Sequence, residues 1–234
     1  MSGPTRAERV AAVAGRGRSR EALAAYWTVR VVSLVVARIF FRFEVVHPER
    51  IPASGAYVIS PVHRSNLDFA LPGLAIRRRL RWMAKRSIFR GGWIDRFLYA
   101  MGSFPVNRSG VDRESLETCQ RVVADGDPLV MFPEGRRKEG PVVRDLFAGP
   151  AYVACNERVP ILPIGIGGSA RAMPIGSKLV RPAKIVLVIG EPIYPDVAVE
   201  GRVPRAVVDA TTERLGVAVQ ALYEEACALA HTTP

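Results

Sequence analysis

Two near-continuous apolar runs narrow the folds open to this chain more than any other feature: Ile161-Leu162-Pro163-Ile164-Gly165-Ile166 and Lys184-Ile185-Val186-Leu187-Val188-Ile189. Successive side chains of a strand point to opposite sides, so a strand with one wet face alternates apolar and polar residues. Runs without that alternation are typical of strands buried on both faces, as in α/β sheets covered by helices on each side. The remaining pattern agrees. Phe43–His47, Tyr57–Ser60 and Leu129–Phe132 read as strands, and a short strand lies inside the basic stretch Arg77–Arg86. Helical spacing predicts helices from about Ser65 into the mid-seventies, over 87–101, 113–125 and 144–157, and from about 204 to 229 behind Pro204. A length of 234 residues suits one α/β domain, here 44–234, preceded by a basic segment, 1–43.

That segment has two parts. Residues 1–20 are polar, basic and rich in Gly and Ala, and are expected to be largely mobile. Residues 21–43 are apolar, but Arg30 and Arg38 are costly at a bilayer centre and argue against a spanning helix or a signal peptide. On a helix Arg20, Arg30, Arg38 and Arg42 fall within about 120° of one another. An apolar helix with one arginine edge can lie in a membrane interface, its guanidiniums reaching toward phosphate headgroups. The alternative is a core helix with arginines at its rim. The formal net charge of +11, from 33 Lys+Arg against 22 Asp+Glu, suits anionic partners: an acidic membrane surface, phosphorylated small molecules, an acidic carrier protein or nucleic acid. Aromatic residues are not interleaved with the basic runs as stacking on bases requires, so no specific nucleic acid is expected. Cys119, Cys155 and Cys227 are odd in number and far apart, which supports neither a disulfide framework nor a zinc site and fits a reducing compartment.

With three histidines in the chain, the choice of a catalytic imidazole is narrow. His63 stands five positions before Asp68 in Pro61-Val62-His63-Arg64-Ser65-Asn66-Leu67-Asp68, just after an apolar run. A carboxylate that fixes an imidazole in one tautomer makes it a general base near neutral pH. Five positions is about 140° on an ideal helix, so the pair meets only if His63 sits in a turn and Asp68 in the first turn of a helix. Ser65 and Asp68 fit that geometry as a capping box. Taken alone, the motif also fits an ordinary turn histidine and an N-terminal helix charge. Downstream, Pro133-Glu134-Gly135-Arg136-Arg137 leaves a strand end, where α/β proteins place ligands, and its arginines offer forked donors for phosphate. The six positive charges between Arg77 and Arg86 read either as a solvated face or as an anion funnel at the mouth of the site.

Four blocks now stand in order: His63…Asp68, Phe104…Arg108, Phe132-Pro133-Glu134-Gly135-x-Arg137, and Val159-Pro160-Ile161-Leu162-Pro163. Together they resemble the glycerolipid acyltransferase family, best known for its 1-acyl-sn-glycerol-3-phosphate acyltransferases, over roughly residues 45–195. The resemblance implies a single domain with a mixed, largely buried sheet flanked by helices, to which the N-terminal interfacial helix is added. It implies transfer of a fatty acyl group from an acyl-coenzyme A or acyl carrier protein thioester to the hydroxyl of 1-acylglycerol 3-phosphate, making phosphatidic acid. By likeness His63 is the base and Asp68 its orienter, and Arg108, Glu134, Gly135, Arg137 and Lys85 belong with the acceptor's glycerol phosphate. Pro163 resembles a proline near the acyl or acceptor pocket. Val62 stands where asparagine or serine is common, and Arg136 where threonine is usual, which leaves the acceptor less defined than the reaction.

No nucleophile elbow surrounds Ser60 or Ser65, so direct attack by the acceptor hydroxyl is expected, with no acyl-enzyme, cofactor or metal. Backbone N–H groups at the start of the helix after His63 are the candidate oxyanion donors. The expected location is the cytoplasmic face of the cell membrane, peripheral or monotopic. Competing readings are acylation of glycerol 3-phosphate or another lysophospholipid, hydrolysis of the thioester, and a basic membrane- or nucleic-acid-binding protein without chemistry.

Overall fold

The computed structural model describes residues 5–106, 113–198 and 201–233. Seven strands form one sheet: β1 (Glu44–Val46), β2 (Val58–Pro61), β3 (Arg81–Lys85), β4 (Ser103–Val106), β5 (Leu129–Val130), β6 (Ile161–Gly167) and β7 (Val186–Ile189). Their spatial order is β1-β7-β6-β2-β5-β3-β4. β2 to β6 run parallel, whereas β7 is antiparallel to β6 and carries β1 parallel to itself, so the sheet is mixed. One consequence governs the rest of the molecule. The carboxyl ends of β2, β5, β3 and β6 all open on the same edge, so the loops that follow them share one neighbourhood.

Helices cover both faces, as the apolar runs require. On one side α5 (Arg113–Ala124), α6 (Gly149–Glu157) and α8 (Arg205–Leu229) pack in a row, with α1 (Arg6–Gly15) against α5. On the other lie α2 (Arg20–Phe40), α3 (Leu71–Ala75) and α4 (Gly92–Ala100). A four-residue helix, α7 (Ser169–Ala172), follows β6. Every residue of β2, β6 and β7 is buried. Where α8 crosses β6 the approach is backbone on backbone. A Cβ at Gly165 would stand 2.0 Å from the Leu222 carbonyl oxygen, and one at Gly167 would stand 2.1 Å from that of Ala226. Glycines at alternate positions of β6 therefore let α8 lie directly on the strand. Pro163 is tolerated in this inner strand because its antiparallel neighbour, Gly190, lies just past the end of β7. Gly190 N–H donates to Pro163 O (3.0 Å), and only the return bond is missing.

Within the stretch expected to be mobile, residues 5–15 carry a capped helix. Thr5 and Glu8 form a capping box that starts α1, and Arg6 pairs with Glu117 (2.7 Å) and Arg9 with Glu114 (3.5 Å) on α5. The helix expected from Ser65 is divided into a single 3-10 turn, Asn66–Phe69, and α3, with Pro72 in the first turn of α3. Gly91 and Gly92, both with positive φ, delay α4 to residue 92.

The basic run divides. Arg77, Lys85 and Arg86 are exposed, Lys85 and Arg86 toward the carboxyl edge described above, whereas Arg78, Arg79 and Arg81 lie at the amino ends of the strands, opposite that edge, and are engaged with backbone. Arg78 donates to the carbonyls of Gly55 and Gly126, and Arg79 to those of Tyr99 (2.9 Å) and Ala100 (3.1 Å). Arg81 is fully buried, donates to Arg16 O (3.2 Å) and faces Asp127 (3.7 Å), which also holds Arg18 (2.8 Å). Burial, with the Arg79 charge beside it, pulls the Arg81 guanidinium down to about 10. These arginines close loop ends that would otherwise leave carbonyls without partners.

Gly165→Ala is expected to lower the unfolding free energy by about 2–3 kcal/mol, the cost of forcing a methyl into a filled contact. Gly15→Ala, with open space around the added methyl and a helical backbone, is expected to be neutral or slightly stabilising. Urea unfolding of the two variants checks this, and equal midpoints would remove the close α8–β6 contact as a determinant of stability.

Candidate active site

The His63 turn begins where β2 ends. Ser65 has extended backbone (φ −140°, ψ 160°), its Oγ accepts from Leu67 N–H (3.2 Å), and Ser65 N–H donates back to the Asp68 carboxylate (2.6 Å). Asp68 is fully buried, and a single oxygen, Oδ2, accepts three bonds: from Ser65 N–H, from Arg64 N–H (2.6 Å) and from His63 Nδ1–H (3.2 Å). The carboxylate thus folds the turn and orients the ring together. With Nδ1 directed at Asp68, the imidazole keeps Nε2 for a reacting group. Phe132, at the exit of β5, stacks on the ring with centroids 4.0 Å apart and planes 25° apart. The His63 side chain is 16% exposed, enough to be reached from the strand-end edge and too little to swing freely.

A buried ion pair supports this turn from beneath. Arg64 and Glu134 are 2% and 0% exposed, and Arg64 Nη1 donates to both Glu134 oxygens (2.7 and 2.6 Å). Glu134 Oε2 also accepts from His63 N–H (3.0 Å). Arg64 Nη2 donates to Val142 O (3.2 Å), and its guanidinium lies over the Tyr223 ring at 4.9 Å. Glu134, assigned by likeness to the glycerol phosphate, therefore has its carboxylate closed off, and what it holds is the His63 turn. Arg64 was not singled out in the sequence. Its partner is seventy residues away and no local pattern links them.

The β5 exit flanks the imidazole. Lys138 N–H donates to His63 O (3.0 Å), which seats residues 134–138 alongside the turn. Gly135 has φ +65°, and a Cβ there would come within 2.7 Å of the Phe147 ring, so both backbone and space call for glycine. Arg137 is half-buried and, among the described residues, makes no side-chain hydrogen bond or ion pair. Arg136 is exposed, and its charge, with those of Lys138 and Arg144, helps hold the Asp145 carboxyl below its ordinary value, after the direct hydrogen bond from Lys138. Lys85 is exposed at the end of β3, two strands or about 10 Å along the same edge from β2. Pro163 lies inside the sheet in register with Ser60, below the level of His63. Arg108 lies outside the described residues.

The turn's amides are largely committed. Arg64 and Ser65 N–H serve Asp68, Leu67 N–H serves Ser65 Oγ, and Asp68 N–H reaches Ser65 O (3.4 Å). Of residues 64–68 only the Asn66 amide is left without such a bond, so the expected row of oxyanion donors contracts to one. What remains is an oriented imidazole at the carboxyl edge of a buried sheet, with a loop bonded to its turn that carries Arg137, a guanidinium with no internal partner among the described residues.

A family model described as Acyltransferase matches residues 42–167. Over 152 residues the chain is 29% identical to a 1-acyl-sn-glycerol-3-phosphate acyltransferase of Bacillus subtilis (strain 168), covering 64% of this chain and 73% of that one. It is 28% identical over 180 residues to a probable 1-acyl-sn-glycerol-3-phosphate acyltransferase of Mycoplasma pneumoniae, covering 71% and 67%. A Chlamydomonas reinhardtii 1-acyl-sn-glycerol-3-phosphate acyltransferase is 27% identical over 164 residues, and this chain spans 48% of its length. The crystal structure of the 1-acyl-sn-glycerophosphate (LPA) acyltransferase PlsC from Thermotoga maritima superposes with a TM-score of 0.65 over 93% of this chain and 87% of that one, at 20% identity, a likeness of fold. The family match runs from the end of α2 through β6 and includes both the His63–Asp68 turn and the β5 exit. On this evidence the chain belongs to the Acyltransferase family, an enzyme of acyl transfer to oxygen.

Proposed function

We propose that this enzyme moves a fatty acyl group from a coenzyme A or acyl carrier protein thioester to the free hydroxyl of 1-acylglycerol 3-phosphate, forming phosphatidic acid. One observation carries the reading: Asp68 Oδ2 orients His63 so that Nε2 is left for a hydroxyl, and the loop bearing Arg137, a cation with no internal partner among the described residues, is bonded to the His63 turn through Lys138 N–H. His63 Nε2 takes the hydroxyl proton as the oxygen attacks the thioester carbonyl. The tetrahedral oxyanion, facing the Asn66 N–H, then collapses; the C–S bond breaks and the thiolate leaves with the proton from His63. Arg137, with Lys85 and, by family likeness, Arg108, binds the acceptor phosphate and orients its hydroxyl. Glu134 acts through Arg64 and the His63 amide as a positioning residue. Gly135 gives the acceptor close access to the loop backbone, and Pro163 is read, by likeness to family members, as a residue near the acyl or acceptor pocket. The named relatives support lysophosphatidate as acceptor.

The enzyme is further proposed to work at the cytoplasmic membrane surface, lying on it through α2. Val31, Val32, Val35, Val36 and Ile39 are 51–77% exposed along one side of that helix, and Trp93 (76%) and Phe97 (46%) of the adjoining α4 extend the apolar surface. α2 is long and apolar enough to cross a bilayer. Arg30, however, donates to the carbonyls of Gly73 (2.8 Å) and Leu74 (2.9 Å), which fastens the middle of α2 along α3 instead of reaching to headgroups. A helix held sidelong to the body with its outer face apolar suits the interface better than a span.

His63→Ala is expected to reduce acyl transfer by about a thousandfold or more, and Asp68→Asn to follow it, with far-UV circular dichroism unchanged. Near-normal turnover by a folded His63→Ala protein would end the mechanism. Arg137→Ala is expected to lower kcat/KM for lysophosphatidate about tenfold or more, chiefly through KM, and initial rates at low acceptor concentration measure it. Product analysis with glycerol 3-phosphate offered in place of lysophosphatidate tests the acceptor. Val35→Asp combined with Ile39→Asp is expected to cut sedimentation with anionic vesicles about tenfold; undiminished pelleting would refute the α2 surface.

A further inference from the structure

His63 has a neighbour on each side along the sheet edge. On one side is the β5 exit with Arg137. On the other is the exit of β6, which pairs in parallel with β2 and opens a cavity of about 450 Å³ that the mechanism above does not use. Arg64 reaches it from the catalytic turn, Ser169 and Arg171 from the β6 exit, Tyr223 from α8, and His231 from beyond that helix. The wall is tied to the turn, since Ser65 Oγ donates to Met173 O (2.8 Å).

Two features mark this cavity as a site for an anion. First, Ser169 is 1% exposed and its Oγ makes no hydrogen bond, and Arg64 is 2% exposed with its Nε likewise unbonded. Buried donors without partners are costly, and both belong to residues that line the same cavity. Second, the charge is one-sided. Among the described residues, the exposed Arg171 side chain makes no ion pair or hydrogen bond and no Asp or Glu lines the space, while Arg64, already paired with Glu134, adds no net charge. A forked guanidinium and a hydroxyl on a polar floor match the oxygens of a phosphate.

We infer that this cavity docks the phosphate of the donor's phosphopantetheine arm, held by Ser169 Oγ and Arg171, with Arg64 at its back. Coenzyme A and acyl carrier protein both present their thioester on that arm. The inference rests on the thioester-donor reading above. It gives the two substrates separate phosphate sites on opposite sides of His63: the acceptor's at the β5 exit and the donor's at the β6 exit. A thioester delivered from one side and a hydroxyl from the other would meet at Nε2.

The test uses the full chain and two readouts. Calorimetric titration with 4′-phosphopantetheine, and separately with coenzyme A, needs no acyl transfer. Arg171→Ala is expected to weaken both by about tenfold or more, and Ser169→Ala to do the same to a smaller degree. Arg171→Lys should recover part of the loss. In the transfer assay, the unaltered enzyme is expected to prefer S-acyl-4′-phosphopantetheine to S-acyl-pantetheine, and Arg171→Ala to erase that preference while changing the donor KM more than the acceptor KM. Coenzyme A and phosphopantetheine binding unchanged in an Arg171→Ala protein with the original melting temperature would overturn the inference. So would a loss confined to coenzyme A, which would place its nucleotide phosphates there instead. Arg171-dependent binding in a chain that transfers no acyl group would leave this site standing and remove the reaction.

Discussion

The bond arrangement at one oxygen atom, Asp68 Oδ2, is what the candidate active-site edge depends on. It accepts from two successive backbone amides and from the imidazole, so the turn cannot form correctly without orienting His63 as well. Full burial of Asp68 makes this demanding, because a buried carboxylate is stable only when hydrogen-bonded. The Arg64–Glu134 pair repeats the principle one layer down. Glu134 receives the His63 amide while neutralising a guanidinium that has almost no contact with water. Removing either member would leave its partner buried and uncompensated, the situation in which ion pairs matter most. The imidazole is thus located by two carboxylates, one acting on its ring and one on its backbone.

This precision needs a rigid base, and the sheet supplies it. β2 is fully buried between β5 and β6, and the loops leaving all three converge on His63. Phe132 comes from β5, the Lys138 amide from the same loop, and the Met173 carbonyl from the β6 exit. The two strand ends that flank β2 hold the turn that leaves it, and each adds a contact that the other cannot make.

Much of this was legible before any coordinates. The apolar runs announced β6 and β7 as strands buried on both faces, and Ser65 with Asp68 announced the cap that brings the carboxylate back onto the turn. Strand direction was not legible: nothing in Val186–Ile189 indicates that it runs against β6, since side-chain periodicity is the same for both directions. The arginines from 77 to 81 show the sharpest limit. Their charge is plain in the sequence, but the partners of Arg78, Arg79 and Arg81 are carbonyls of Gly55, Gly126, Tyr99, Ala100 and Arg16, and backbone oxygens carry no sequence label. Glu134 illustrates the converse. Its place in a family block was visible, whereas its engagement with Arg64 depends on the tertiary fold.

The pairing of β1 with β7 has a bearing on how the chain is made. Glu44 aligns with Val186, so the outermost strand cannot join the sheet until most of the polypeptide has left the ribosome. α2, immediately before β1, emerges early, while α3, whose carbonyls anchor Arg30, and the sheet beneath it are still to come. During synthesis the valine-rich helix is therefore a free amphiphile before it is part of an enzyme. Nascent chains have an interval in which contact with lipid can precede assembly of the catalytic half, so delivery to a bilayer and folding need not occur in that order.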